Sequence, residues 1–315
     1  MVRQLERNEV NRNAMGGTEL MAHRIERDCN KSLLAKTQII HSRVRELDDS
    51  KKKILVLHDL PQDPESQHLK DGGWKKFDCL VFVSHWQQEM YNLFLGVPYS
   101  AGTVLRNAIE PIEAHKKPNG TIRLIYTSTP HRGLDILYVA FNQLAKEYDN
   151  IELDVFSSFQ LYGWPQRDEQ YRELFDKLRA HPKINYHKNV PNETIREHLQ
   201  KAHIFAYPST WKETSCLCLI EAMSAGCLSV HSSLAALPET SMGQTFMYNY
   251  TENPHDHANQ FYIELKNAIN LWQNQNSRTI LTRKLQNDKA LADYVYGWNN
   301  RKLQWNQLMK NLLDN

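Results

Sequence analysis

Two glutamates, Glu213 and Glu221, bracket the run ETSCLCLIE within YPSTWKETSCLCLIEAMSAG. Acids placed this way could form a catalytic pair, a pair of metal ligands, or a helix cap beside an unrelated charge. A metal is disfavoured, because no His or Asp pair with ligand spacing accompanies them. Glu221 sits in an apolar context, LCLIEAMSA, where an ionised acid needs a partner. A ribose diol offers two hydroxyl donors. A helix is expected to start near Thr214, which would turn the amides of Thr214, Ser215 and Cys216 toward a phosphate or sugar. The spacing then fits one ligand, with a sugar near Glu213, a diphosphate at the helix start and a ribose at Glu221. The structural alternative is a capping Glu213 and a salt-bridged Glu221.

Other stretches offer complementary chemistry. TSTPHRGLDIL sets Arg132 just before a glycine and an amphipathic helix, with Ser128 and Thr129 as hydroxyl donors. A guanidinium forks onto a diphosphate, and a cation at a helix start opposes the dipole unless an anion is bound. Arg106 is a second cation, with a surface role as the equal alternative. His58 follows an apolar strand in HDLPQDPE, where it could hydrogen-bond a substrate hydroxyl, act as a base, or satisfy loop backbone. Gly16-Gly17 lets backbone approach a ligand, and Thr18 is placed to cap the next helix; a plain loop and cap is the other reading. The pair is no dinucleotide fingerprint.

These residues need a frame. Short apolar runs recur as ILVLH (54–58), LVFVS (80–84), TVLRN (103–107), IRLIYTS (122–128), IELDVFSS (151–158), INYHKN (184–189), IFAYPS (204–209) and CLSVHSS (227–233). Helical stretches separate them, so the fold class is α/β with parallel sheets. Ligands in such sheets bind beyond the carboxyl ends of strands, where His58, Ser84, Asn107, Ser128, Ser157, Asn189 and Ser209 fall. AHKKPNG (114–120) reads as the domain break. That gives a short first domain over 1–118, a second over 119–285, and a terminal helix over 286–315 able to cross back. After about residue 255 the chain reads as helices.

The bulk numbers exclude several classes. The 315 residues are 41% hydrophobic and 23% charged, so a packed core is expected and disorder is not. A net charge of +2 suits a phosphate pocket rather than a nucleic-acid-coating surface. KKK (51–53) and HKK (115–117) read as solvated loops. No apolar stretch is long enough to span a bilayer, and the N-terminal MVRQLERNEVNRN is too polar for a signal peptide. Five cysteines without a CxxC pair read as reduced residues of a cytoplasmic protein.

The E-x7-E pattern of Glu213 and Glu221, followed by AMSAGCLSV, resembles the retaining GT-B glycosyltransferases, in particular glycosyltransferase family 4. GGTE, HDLP, VSHWQQEMY, VLRNAIEP, TSTPHRGLDIL, YHKNVPNE and ALPET fall in the family's order across most of the chain. The resemblance implies two Rossmann-like domains with parallel sheets facing across a cleft. It implies that Arg132 grips the diphosphate and Glu221 the ribose. Glu213 and nearby amides would bind the transferred sugar, and Asn189 and Val190 would lie near the base. Gly16-Gly17 would approach the phosphates and His58 the reacting carbon. Two departures stand out. The family's second basic residue is replaced by Tyr126-Thr127, and no strand is evident before Gly16, so the acceptor side is pared down or completed by a partner.

The expected activity is retaining, metal-independent transfer of a sugar from a nucleotide diphosphate sugar to an acceptor hydroxyl, with no cofactor. The acceptor (glycan, lipid, protein or modified nucleic acid) stays open, as does a homo-oligomer. Rival readings are a nucleotide-sugar epimerase or phosphorylase on the same fold, or a non-catalytic nucleotide-sugar-binding module.

Overall fold

The computed structural model describes residues 16–314. The chain divides into two compact units. The first comprises 16–108 and 296–314 of the described residues, and the second 109–295.

The first unit begins with helices α1 (Gly17–Asp28) and α2 (Lys31–Leu34). Four parallel strands follow in the order β1-β2-β3-β4: β1 (Thr37–His41), β2 (Lys52–Leu57), β3 (Cys79–Phe82) and β4 (Gly102–Val104). CLVF of β3 is buried at every position, as a strand covered on both faces must be. Helix α3 (His85–Leu95) is started by Ser84, whose hydroxyl accepts from Gln87 N–H, and stopped by Gly96 at φ 67°.

The second unit carries six parallel strands in the order β10-β9-β8-β5-β6-β7. In chain order its elements are β5 (Ile122–Thr127), α4 (Leu134–Glu147), β6 (Ile151–Phe156), α5 (Arg172–Ala180), β7 (Ile184–Tyr186), α6 (Asn192–Lys201) and β8 (Ile204–Tyr207). They continue as α7 (Leu217–Ser224), β9 (Leu228–Ser232), α8 (Leu237–Ser241), β10 (Phe246–Tyr248), α9 (Pro254–Gln273) and α10 (Gln275–Tyr296). The first strand of this unit, β5, is central, and β6 and β8 leave it in opposite directions. A ligand crevice belongs at the carboxyl end of such a switch point. The last helix, α11 (Trp298–Asp314), returns to the first unit, where Trp298, Trp305 and Met309 join a core with Met21, Ile25, Ile54 and Val81.

The α/β class and the eight expected strands are present. Two more, β1 and β10, went unread. TQIIH follows α2 without Gly or Pro punctuation, and FMY buries only Tyr248. The division between units falls between 108 and 109, so residues 109–118 pack with the second unit rather than the first. Ile112 is buried there, and its amide donates to Ser224 Oγ at 2.9 Å. Residues 286–295 likewise belong to the second unit.

Two basic runs are not plain solvated loops. Lys52 and Lys53 open β2 and pair with Asp78 and Asp49. Lys117 reaches inward and donates to the carbonyls of Leu199, Gln200 and Ala225 at 3.1, 3.2 and 2.8 Å. It thereby caps the ends of α6 and α7, and burial lowers its pKa. The cysteines are unpaired as disulfides, and four of the five are buried. No helix among the described residues is long and apolar enough to cross a membrane. The reading that no strand precedes Gly16 lies outside the described residues.

Candidate active site

The second unit gathers most of the expected residues. β5 delivers Ser128 and Thr129, both buried, and the Thr129 carbonyl accepts from Tyr126 OH at 2.8 Å. The turn continues to Arg132, whose amide donates to the same carbonyl at 3.2 Å. Gly133 then caps α4 at φ 93°. A Cβ there would stand 2.0 Å from the Pro208 carbonyl oxygen, so the turn after β5 and the turn after β8 touch backbone to backbone.

This close approach sets Arg132 against Glu213. Arg132 Nη1 donates to Glu213 Oε1 at 2.7 Å, and Tyr207 OH donates to the same oxygen at 2.5 Å. Arg132 Nη2 donates to Tyr162 OH at 3.1 Å, and the guanidinium lies 5.9 Å from the centroid of the Trp211 ring. Burial works against the arginine's charge, but Glu213 and the phenols of Tyr162 and Tyr207 outweigh it, so its pKa stays well above the ordinary value. Arg132 is therefore a fixed cation beside Glu213. Beside it, His131 stacks on Phe159 at 5.2 Å and meets the edge of Trp211 at 5.0 Å. Its pKa is lowered to about 4 by burial and then by Arg132 and Arg167.

Glu221 is buried, as its apolar surroundings imply, and keeps different partners. Asn192 Nδ2 lies 3.4 Å from both of its carboxylate oxygens, and Arg196 Nη1 lies 3.3 Å from Oε1. Both partners stand on α6, and Arg196 is anchored further by donating to the Glu110 carbonyl at 2.7 Å. These contacts are long for charge-assisted hydrogen bonds.

The helix between the two acids starts later than expected. α7 begins at Leu217 with Cys216 as its N-cap, because the Cys216 backbone is extended (φ −96°, ψ 94°). Thr214 and Ser215 therefore precede the helix, and Glu213 does not cap it. Glu221 is the fifth helical residue, just over one turn in, where a helix starting near Thr214 would have put it about two turns in. Asn189 and Val190 occupy the turn between β7 and α6, half-buried, with Val190 packed on the core.

His58, Arg106 and Gly16-Gly17 belong to the first unit. Gly16 itself is the N-cap of α1 and Gly17 its first residue, so Thr18 lies inside the helix and does not cap it. His58 follows β2 and is hydrogen-bonded through Nε2 to His41 Nδ1 at 3.2 Å. Burial lowers its pKa to about 4, so it is neutral at pH 7. The loop that follows is held by Gln87, which donates to the carbonyls of Leu57 and Asp59 at 3.1 and 3.0 Å. Arg106 lies near Arg301, whose pKa falls to about 10 through burial and then the Arg106 charge.

Sequence reasoning missed His41, Tyr162, Tyr207, Asn192 and Arg196. Tyr207 closes the apolar run IFAY, and its hydroxyl role appears only once Glu213 folds back on it. Asn192 and Arg196 are separated by one helical turn, a spacing that marks a shared helix face but not what that face meets.

Comparison with known proteins bears on the fold and on one segment of the sequence. Residues 122–267 match the family described as glycosyl transferases group 1. A phosphatidylinositol N-acetylglucosaminyltransferase component of Arabidopsis thaliana is 24% identical over 172 residues, 51% of this chain; the match spans only 36% of that protein. A glycosyltransferase from Rickettsia africae ESF-5 superposes with a TM-score of 0.70 at 15% identity, covering 99% of this chain and 85% of that one. The pneumococcal O-GlcNAc transferase GtfA, solved with UDP and GlcNAc, gives a TM-score of 0.64 at 12% identity, covering 94% and 60%. The α/β architecture, with a parallel sheet in each unit, is thus the GT-B fold of solved glycosyltransferases, and residues 122–267 carry the sequence pattern of glycosyl transferases group 1.

Proposed function

We propose that this protein transfers a sugar from a nucleotide diphosphate sugar to an acceptor hydroxyl, with retention at the anomeric carbon and without a catalytic metal. The observation that carries the reading is the Arg132–Glu213 pair at the carboxyl ends of β5 and β8, with Glu221 on the helix that follows. Arg132 supplies permanent positive charge for the departing diphosphate. That charge acts most strongly as the bond breaks, so it stabilises the transition state more than the bound donor. Glu213 accepts from hydroxyls of the sugar, and Glu221 from the ribose diol. Asn189 and Val190 lie near the base, as the family resemblance suggests.

The step balances without an enzymic nucleophile. The bond from the anomeric carbon to the diphosphate oxygen breaks, and the acceptor oxygen bonds to the same face. The acceptor's proton passes to the departing phosphate. His58, neutral at pH 7, contributes as a hydrogen-bonding group rather than as a cation.

The neighbour solved with UDP and GlcNAc makes UDP-GlcNAc the first donor to try. A thermal-shift screen of nucleotide sugars, followed by mass spectrometry of products with candidate acceptors, tests the proposal. A rise in melting temperature with one donor, and a product carrying its sugar with unchanged anomeric configuration, is the expected result. Donor binding with no transfer to any acceptor and no hydrolysis would instead mark a binding module.

A further inference from the structure

Asp154 is the point on which a second cluster converges. It lies on β6, His187 follows β7, and His198 stands on α6. His187 Nε2 lies 2.8 Å from Asp154 Oδ1, and His198 Nδ1 lies 3.4 Å from Oδ2. One nitrogen of each ring and a carboxylate oxygen fall within 4.8 Å of one another. Phe156 stacks on His187 at 4.3 Å with 9° between the planes, and meets the His198 ring edge-on at 5.0 Å. The rings are therefore held in orientation by packing as well as by the acid.

We propose that Asp154, His187 and His198 bind one divalent transition-metal ion of the zinc class. Tetrahedral zinc with bonds of about 2.0–2.2 Å separates its donors by about 3.4 Å, so the three side chains need to move little to enclose an ion. Two imidazoles and one carboxylate suit zinc and its neighbours, whereas magnesium and calcium take oxygen ligands. Asp154 is 9% exposed, and its partners among the described residues are two imidazoles rather than a Lys or Arg. Three protein ligands leave a fourth position for water.

The ion's role is positional. His187 and His198 mark the two ends of a segment that contains the Asn189-Val190 turn and the first turns of α6. Tying both ends to β6 fixes Asn192 and Arg196 where they meet Glu221. The ion takes no part in bond breaking, so metal binding is independent of the proposed transfer and is measured without it.

The test is titration of the chelator-treated 315-residue chain with Co²⁺. Visible absorption of a tetrahedral cobalt site, saturating at one equivalent and displaced by Zn²⁺, is expected. His187→Gln and His198→Gln should each abolish that band while far-ultraviolet circular dichroism stays native. Zinc-edge absorption spectra of the wild type, which require no variant to fold, should show nitrogen and oxygen ligands only. Sulfur at about 2.3 Å would move the ion to Cys216 and Cys218 and overturn the assignment. So would no stoichiometric uptake by the wild type, or equal uptake by folded variants, the mark of adventitious binding among the 14 histidines.

Discussion

Arg132 and Glu213 are joined by a 2.7 Å ion pair across 81 residues of sequence, with side-chain exposures of 18% and 7%. The carboxylate is shared with Tyr207, so removal of the arginine leaves a buried acid with a single phenol partner. Breaking one half of a buried pair typically costs about 3–5 kcal/mol. Arg132→Ala is expected to lower the melting temperature, and in donor assays to slow turnover by roughly 10²–10³-fold with little change in KM. Arg132→Lys should recover stability better than rate, because lysine keeps the charge but loses the fork that also reaches Tyr162. Wild-type turnover in both variants would remove Arg132 from the transfer step.

Glu221 should behave differently. It meets Asn192 and Arg196 on α6 rather than Arg132, and the proposed ligand is the ribose. Glu221→Ala is expected to weaken donor affinity about tenfold or more, the loss of one charge-assisted contact of about 1.5–3 kcal/mol. The maximal rate at saturating donor should fall much less. Calorimetric titration with the nucleoside diphosphate alone checks this, and an unchanged dissociation constant would refute the ribose role.

Gly133→Ala tests the contact between the two turns. The residue sits at φ 93°, and a methyl group would fall 2.0 Å from the Pro208 carbonyl. The backbone strain alone is worth about 1–3 kcal/mol, and relief of the clash moves the turn that carries Arg132 away from the turn after β8. Reduced stability together with reduced turnover is expected. A melting curve and rate matching the wild type would show that the turns are not held this closely.

How much of this arrangement was legible depends on what kind of interaction made it. The strands buried on both faces, such as CLVF and IFAY, announce themselves as continuous apolar runs. The polar strand ends that follow them could also be read, which is how Arg132 and His58 were found. Pairing was not legible. Nothing near Glu213 in sequence reveals that Tyr207 and Arg132 close on one oxygen, because loop backbone between β8 and α7 decides it. The start of α7 was misplaced for the same reason. Thr214 and Ser215 are good capping types, but they lie in a bend before the helix, and the cap falls on Cys216, whose backbone is extended. Lys117 looked solvated because its neighbours are; only the convergence of two helix ends shows what it caps.

The His41–His58 pair should make folding sensitive to acid. Burial lowers the pKa of His41 to about 3, with His58 adding to it, and that of His58 to about 4, both from an ordinary 6.5. An unfolded chain takes up these protons below pH 6.5 while the folded chain does not. Stability is therefore full above about 6.5, falls as the pH drops, and stops falling through these groups below about 4 and 3. Chemical denaturation at stepped pH measures the slope, which His41→Phe should make shallower. An identical slope in that variant would assign acid sensitivity to other groups.

Lys117→Met should be costly for a residue in a basic loop. Three carbonyls lose a common donor; that of Leu199 keeps the Ala202 amide at 3.2 Å, so a cost of about 1–3 kcal/mol is expected from the other two. A melting temperature several degrees lower is expected, with donor affinity retained.

The return of α11 bears on how the chain is made. Strands β1 to β4 emerge from the ribosome early, yet Trp298, Trp305 and Met309, which complete their core, emerge only after the entire second unit. The unit synthesised first is thus the one finished later, and its exposed apolar face must be shielded during the wait. A fragment cut after residue 108 would keep that face permanently, so the half that begins the chain cannot be isolated simply by shortening the gene.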